Sequence, residues 1–372
     1  MTSSLQAIEP STFPWFDYAR YTFSLGLRRG DEAWLSGHSA SEYDRDRGRI
    51  VVNGGMTDQA RTAYAKVDAI LEAAGLGRGD VARIVENVTA AGRDAYAEAA
   101  AVRTELFGDR PAVCVTSVDR LLRPAAWLEV EVVAARGAEA HTDTTGARAV
   151  DAKGVIYLSG LGGDGPRGNV QAQTALALEQ LGHRLQAVGL TVADVAHLEL
   201  AVVARHDSVP ALQELARAFG RGLPAVVIRR PEHLLRDDQT VAMTVTATRH
   251  APQRLGESAT GGPAAVRAGS RLWFAGASAL VHGPLPRGVV AQCETLYARL
   301  LEILHEAGGG PERMLKTIEY VRPDGLADYR GVAAVRERLL VAPYPASTGA
   351  VCVANEHPEA LLEVAAMALL EE

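Results

Sequence analysis

Two glutamates two residues apart, Glu129 and Glu131, stand in the apolar run Leu128-Glu129-Val130-Glu131-Val132, and Glu363 stands alike in Leu362-Glu363-Val364. Alternate side chains of a strand share a face, so both acids face one way and Leu128, Val130 and Val132 the other. If the apolar side meets helices, Glu129 points away from its own core. A carboxyl partly withdrawn from water there has a raised pKa and suits general acid/base work. An ion pair or a solvated face fits the same pattern. His38 directly follows Leu35-Ser36-Gly37, where an imidazole shuttles protons near neutral pH or simply ends a strand with a satisfied polar group. Cys114 and Cys352 recur in one setting, Ala-Val-Cys-Val. Thiolate chemistry needs an electropositive, open pocket, and a small buried hydrophobe is the alternative; we read the pair as lining a cleft.

Arginines could complete such a site. Arg103 and Arg336 recur in Ala-Val-Arg, each open to anchoring a carboxylate or to a helix-surface ion pair of little worth. Arg322 follows Tyr320-Val321 near a strand end, and Glu319 there matches Glu86. No histidine pair is spaced as H-x-x-x-H, no Asp/Glu cluster has ligand spacing, and the glycine run at 160–165 lacks the Lys-Ser/Thr ending of a phosphate loop. The expectation is therefore no metal and no cofactor.

The elements that must position these residues occur three times. Trp34-Leu35-Ser36-Gly37, Tyr157-Leu158-Ser159-Gly160 and Trp273-Phe274-Ala275-Gly276 each close an apolar run with glycine. Gln59, Gln173 and Gln292 follow, each sixteen residues before Gly75, Gly189 or Gly308. Between these anchors Val67, Leu181 and Leu300 hold one register, Leu71, Leu185 and Leu304 a second, and Ala74, Val188 and Ala307 a third. These offsets share one face of a 3.6-residue helix, and glycine is a common helix stop. Each third then reads as hairpin, helix, strand, helix and two strands. The spacing of about 115 to 120 residues is that of a small domain. We place the units at 15–137, 145–250 and 260–370, joined by linkers at 137–146 and 252–262.

In this order the motifs resemble the Rid family, also known as YjgF or by the label L-PSP endoribonuclease. The resemblance rests on Phe23-Ser24, Leu35-Ser36-Gly37-His38, Gln59-Ala60-Arg61 leading to Leu71-Glu72-Ala73-Ala74-Gly75-Leu76, Arg110-Pro111-Ala112 and Leu128-Glu129-Val130-Glu131. Gly189-Leu190, Leu223-Pro224-Ala225, Glu306-Ala307-Gly308 and Leu362-Glu363-Val364 continue it. The resemblance implies an α+β fold: three chorismate-mutase-like β-β-α-β-α-β-β domains forming an intramolecular pseudo-trimer around a central β-barrel, with ligand clefts between domains. Family deaminases hold a substrate carboxylate with an arginine just after Pro-Ala and position water with a glutamate in the last strand. Here Val113, Val226 and Ser347 follow Pro-Ala. Glu129 and Glu363 keep the acid, Ala242 replaces it in the middle copy, and Phe23 replaces a usual tyrosine.

Charge and composition narrow the functions. A formal net charge of −7 without a Lys/Arg stripe gives no electrostatic footprint for nucleic acid. No apolar run is long enough to cross a membrane, and the start has no signal-peptide pattern. Three cysteines without a C-x-x-C pair suit a reducing cytoplasm. The resulting expectation is a cytoplasmic monomer, with dimerisation left open, and a small-molecule substrate as its partner. General acid/base catalysis on an anionic metabolite of specialised biosynthesis comes first: enamine or imine hydrolysis, or a related elimination or cyclisation. A chorismatase-like hydrolase, similar in architecture to a fused Rid trimer, and a non-catalytic binder or scaffold are the alternatives.

Overall fold

The structure, a computed structural model, describes residues 4–162, 164–259, 261–276 and 285–371. Three seven-stranded sheets form in chain order. The first runs Gln6–Ala7, Gly26–Arg29, Glu32–Leu35, Leu128–Ala135, Val81–Thr89, Ala112–Val118, with His38–Ser39 also on Leu128–Ala135. The second runs Glu139–Thr142, Arg148–Ala152, Val155–Leu158, Val241–Thr248, Val195–Val202, Ala225–Arg229, with Leu161–Gly162 on Val241–Thr248. The third runs Gln253–Leu255, Ala265–Ala268, Arg271–Phe274, Leu362–Leu369, Met314–Val321, Ala346–Val351. Its seventh strand, Arg120–Leu121, is lent by the first third of the chain. In each sheet one pair is parallel, Val81–Thr89 with Ala112–Val118 and its two counterparts.

The fold is α+β, as expected. Two details differ. The expected central barrel is not a closed one: the three sheets remain separate hydrogen-bonded ladders. The stretches expected as linkers carry the opening strands of the second and third sheets, Glu139–Thr142 and Gln253–Leu255. Short polar strands at a sheet edge need little apolar content, so they resemble loops in sequence.

Two helices cover one face of each sheet: α1 (Met56–Ala73) and α2 (Tyr96–Phe107), α3 (Val170–Ala187) and α4 (Val209–Phe219), α5 (Val289–Glu306) and α6 (Val332–Leu339). Leu128, Val130, Val132 and Ala134 pack against Val67, Ile70 and Leu71 of α1, and the third sheet repeats this with Leu362, Val364, Ala366 and Ala368 against α5. Strand alternation therefore turns Glu129, Glu131 and Glu363 to the opposite face. On that face Ala112, Ala135, Tyr157, Ala196, Ala225, Val266 and Trp273 of all three sheets share one apolar cluster. A sheet with helices on one side has to bury its other side, and here sister sheets do so.

The repeated glutamines fix the strands that carry the acids. Gln59 Oε1 accepts from Trp127 N at 2.8 Å, Gln173 Oε1 from Thr240 N at 2.7 Å and Gln292 Oε1 from Leu361 N at 2.7 Å. Each clip lies two residues before Glu129, Ala242 or Glu363. The repeated glycines tie the sheets together. Gly37 N donates to Ser347 O at 3.1 Å, Gly160 N to Val113 O at 2.9 Å and Gly276 N to Val226 O at 2.9 Å.

Two of the three units bury a carboxylate beneath their helices. Tyr64 and Tyr96 each donate to Glu86 at 2.7 Å, and Arg103 pairs with the same carboxylate. In the third unit Tyr297 donates to Glu319 at 2.5 Å, Tyr329 bonds it too, and Arg336 Nη1 lies 3.5 Å away. The second unit has Leu178, Leu200 and Leu215 in place of the tyrosine of the first helix, the acid and the arginine. Arg103→Met should destabilise the protein by about 3–5 kcal/mol, because it strands a buried carboxylate. Converting the cluster to apolar residues, with the second unit's leucines at three positions (Tyr64→Leu, Glu86→Leu and Arg103→Leu, together with Tyr96→Phe), should cost less than that single change. Urea midpoints of the two variants compare them directly.

Candidate functional site

A cleft of about 820 Å³ opens between the first and third sheets. Gly37, His38, Ser39, Lys66 and Glu129 line it from the first unit, and Tyr329, Arg336, Tyr344 and Ser347 from the third. Glu129 extends from the start of Leu128–Ala135 and lies over Gly37, where an added Cβ would stand 2.4 Å from Oε1. Oε1 is buried and, among the described residues, has no hydrogen-bond partner. Burial, reinforced by Glu131, raises its pKa to about 8, against the opposing pull of Lys316 and Lys66. The carboxyl is therefore mostly protonated at neutral pH, an acid poised to give up a proton.

The cations of the cleft differ in availability. Lys66 lies on the buried face of α1, and its Nζ donates to Ser39 O at 2.6 Å and Ser41 O at 2.5 Å. The rings of Trp15 and Phe16 lie 5.9 and 5.3 Å away, and burial lowers its pKa to about 7. It anchors the Ser41–Asp44 hairpin strand and projects positive field toward Glu129. Arg120 and Arg123 also line the cleft, and among the described residues neither side chain makes a hydrogen bond or ion pair. Arg120 is half-buried, held by its strand's pairing with Ala346–Val351.

Of the residues singled out in the sequence, Glu129, His38, Phe23 and Arg336 meet in this cleft. His38 is buried, its Nε2 lies 3.0 Å from Leu25 O, and burial lowers its pKa to about 3. Its imidazole therefore stays neutral near pH 7. Phe23 packs on Tyr21 at 5.3 Å between ring centroids. Arg336 and Arg103 are not free anchors, because each is committed to the buried glutamate of its own unit.

The other candidates lie elsewhere. Glu363 lies over Gly276, among the described residues its Oε2 has no partner, and burial, with help from Glu356, raises its pKa to about 8. Gly276 stands against Val227 of the second sheet, whose Cα would lie 3.4 Å from an added Cβ; residues 277–284, which follow Gly276, lie outside the described residues. Cys352 is fully buried nearby, and burial pushes its thiol up to about 12. Cys114 is also fully buried, with Sγ 3.3 Å from Leu158 O and its pKa raised by burial. Neither cysteine lines the Glu129 cleft. Tyr320 donates to Glu199 at 3.1 Å, and Arg322 pairs with Asp324 at 2.7 Å and with Pro358 O. Among the described residues no group of His, Cys, Asp or Glu could hold a metal ion, and no helix is long and apolar enough to cross a membrane.

Lys66 and Arg120 escape a motif reading. Lys66 does carry a signal, as a charged residue on the face of α1 shared by Ala63, Val67 and Ile70. Arg120 carries none, because its place depends on a strand joining a sheet more than two hundred residues away in sequence.

Residues 18–136 match the family model described as Endoribonuclease L-PSP. The match spans both helices and most of the sheet of the first unit, including Glu129. Among curated proteins no sequence matches the chain. Among solved structures, a chorismatase at 1.08 Å resolution has a TM-score of 0.54 at 14% identity, covering 78% of this chain and 93% of its own. The YjgF gene product of E. coli has a TM-score of 0.29 at 28% identity, covering 35% and 98%. A putative endoribonuclease of Thermotoga maritima has a TM-score of 0.31 at 24% identity, covering 35% and 97%. The chorismatase likeness concerns the fold.

Carboxyls whose folded pKa is raised favour folding while protonated, and that advantage is lost as pH rises through the folded value. Between the ordinary 4.5 and about 8, wild-type stability should therefore fall relative to Glu129→Gln and Glu363→Gln. Melting temperatures of the three proteins across that range should diverge as pH rises and run parallel above it. Parallel curves throughout would mean that neither carboxyl is shifted.

Proposed function

We propose that the chain is a pseudo-trimer of three diverged copies of one chorismate-mutase-like domain, and that the Glu129 cleft is the active site of an enzyme acting on a small anionic metabolite. The similar strand orders, the three glutamine clips and the cyclic glycine bonds between sheets support the first part. One observation carries the second: an unpartnered buried acid shares a cleft with two unpaired arginines, while the comparable acids Glu86 and Glu319 are fully paired.

The chemistry follows from the protonated state. The Glu129 carboxyl gives its proton to the electron-rich carbon of an enamine, and the carboxylate so formed lies against the resulting iminium. Water adds to that carbon–nitrogen bond and returns a proton to the Glu129 carboxylate; the amine takes up the hydroxyl proton as it leaves, and a carbonyl compound remains. Arg120 and Arg123 hold the substrate's carboxylate in place of the arginine absent after Pro-Ala. The middle copy, with Ala242 at the acid position, supplies cover for its neighbours. A second reading, hydrolysis of a ring dianion as in a chorismatase, is favoured by the two unpaired arginines and the size of the cleft. It begins with the same proton transfer, to an enol ether carbon.

Turnover of 2-aminoacrylate generated in situ and of chorismate separates these readings. With the accepted substrate, Glu129→Gln should lower kcat at least ~100-fold with little change in KM. Arg120→Gln should raise KM about tenfold and leave kcat within a few-fold, since it removes binding shared by ground and transition states. Activity should fall as pH rises through about 8, where the acid ionises. Full turnover by Glu129→Gln would sink the acid role, and failure of both substrates to react or bind would favour a non-catalytic protein.

A further inference from the structure

The Glu129 cleft is larger than a three-carbon enamine needs. Pockets of ~300–1,000 Å³ enclose drug-sized ligands, and this one holds about 820 Å³. Much of its lining is apolar: Phe16, Tyr21, Phe23, Leu122, Tyr329 and Tyr344. Tyr21 and Leu122 are 38% and 37% exposed. Large apolar side chains left singly to solvent are ordinary. Here two of them share one cleft with the partly buried rings of Phe16 and Phe23.

Tyr21 is held in place although it is exposed. Its ring centroid lies 6.1 Å from that of Phe16 and 5.3 Å from that of Phe23, and Phe13 braces Phe16 edge-on at 5.3 Å. Its backbone N donates to Tyr18 O at 3.1 Å. Ser24, next to Phe23, fastens this stretch to the third unit: its N donates to Pro345 O at 3.2 Å and its Oγ to Tyr344 O at 2.6 Å. Arg120 and Leu122 both line the cleft, with the buried Leu121 between them. The Leu122 side chain fills the space that a Cβ on Gly349 would need.

The fold does not require these rings. Gly26 pairs with Leu35 as Ala149 does with Leu158 and Ala265 with Phe274. Counted back from that register, the place of Phe23 falls to Gly146 in the second unit and to Gly262 in the third, and the place of Tyr21 to Thr144 in the second. Of the three units only the first carries a ring at the Phe23 position, and it is the unit whose acid faces the cleft.

Taking the Glu129 cleft as the active site, we propose that its substrate is a carboxylate bearing an aromatic ring, with the ring against Tyr21, Phe23 and Leu122 and the carboxylate at Arg120. A flat ring gains from edge and offset contacts with aromatic side chains beyond the area it buries, and a wall already ordered costs less to bind. In the enamine reaction the ring is a substituent of the enamine, and Glu129 keeps its role.

Binding of unreactive carboxylates to the full chain tests this without turnover. By calorimetry near neutral pH, 3-phenylpropanoate should bind about 10–100-fold more tightly than propanoate and several-fold more tightly than 3-cyclohexylpropanoate. Tyr21→Ala combined with Leu122→Ala, both at exposed side chains, should bring 3-phenylpropanoate to within a few-fold of propanoate and leave propanoate unchanged. Arg120→Gln should weaken both ligands alike. Equal affinities in the wild type, a cyclohexyl ligand bound as tightly as the phenyl one, or a selectivity that survives the double variant would each overturn the proposal. So would absence of 3-phenylpropanoate binding at millimolar concentration. A fully active Glu129→Gln, by contrast, sinks the acid role and leaves the ring selectivity standing.

Discussion

The three backbone bonds from Gly37, Gly160 and Gly276 to the neighbouring sheets are the constraint on which the rest of the structure depends. Each sheet has helices on one face only, so its other face is stable only against a sister sheet. The glycines close those contacts at the strand ends. At Gly37 and Gly276 they do a second thing: the missing Cβ leaves the space that the Glu129 or Glu363 carboxyl occupies. At Gly160 the nearest atom to an added Cβ is the Cys114 Cα at 3.5 Å, because the acid position there is Ala242. One residue type thus joins the units and makes room for the acid, which puts the candidate chemistry at the seams.

Buried glutamates meet two fates in this chain, and partners decide between them. Glu86 and Glu319 each have two tyrosine hydroxyls and an arginine, which compensate the loss of water. Among the described residues Glu129 and Glu363 each have an oxygen with no partner, and burial raises their pKa so that they hold a proton near neutral pH. The second unit removes the issue altogether with Leu200 at the buried position and Ala242 at the seam. A paired acid is explained by stability. An unpaired acid facing a cleft of about 820 Å³ calls for a function.

What the sequence makes legible is what repeats. The glutamines, the glycines and the apolar helix registers give the order of elements and the facing of Glu129 away from its own helices, because local periodicity encodes each. The edge strands Glu139–Thr142 and Gln253–Leu255 pass for linkers, since edge pairing leaves no alternation to detect. Arg103 and Arg336 look free until Tyr64, Tyr96 and Glu86 come together from three separate elements. The matching of Glu86 to Glu319 was the available clue, and it marks a core rather than a ligand site. The cysteines repeat for the same reason: both fill a small buried place, at 0% exposure.

The residue that repetition cannot reveal is Arg120. Its two-residue strand leaves the first unit and pairs with Ala350 and Val351 of the third, on the strand that also carries Ser347, where the resemblance places an arginine. The cation thus enters the cleft from the opposite strand of a cross-unit pair. In a trimer of identical chains any such strand would appear at all three interfaces. In a single chain it can be unique to one, because each unit has its own sequence and the covalent connection keeps the partners together. The Glu129 cleft has its acid from a residue shared with Glu363 and its arginine from a residue shared with neither other unit. Divergence of that kind is open to the proposed pseudo-trimer in one chain and closed to a symmetric trimer, and it gives a physical reason for the proposed chemistry to sit at one seam.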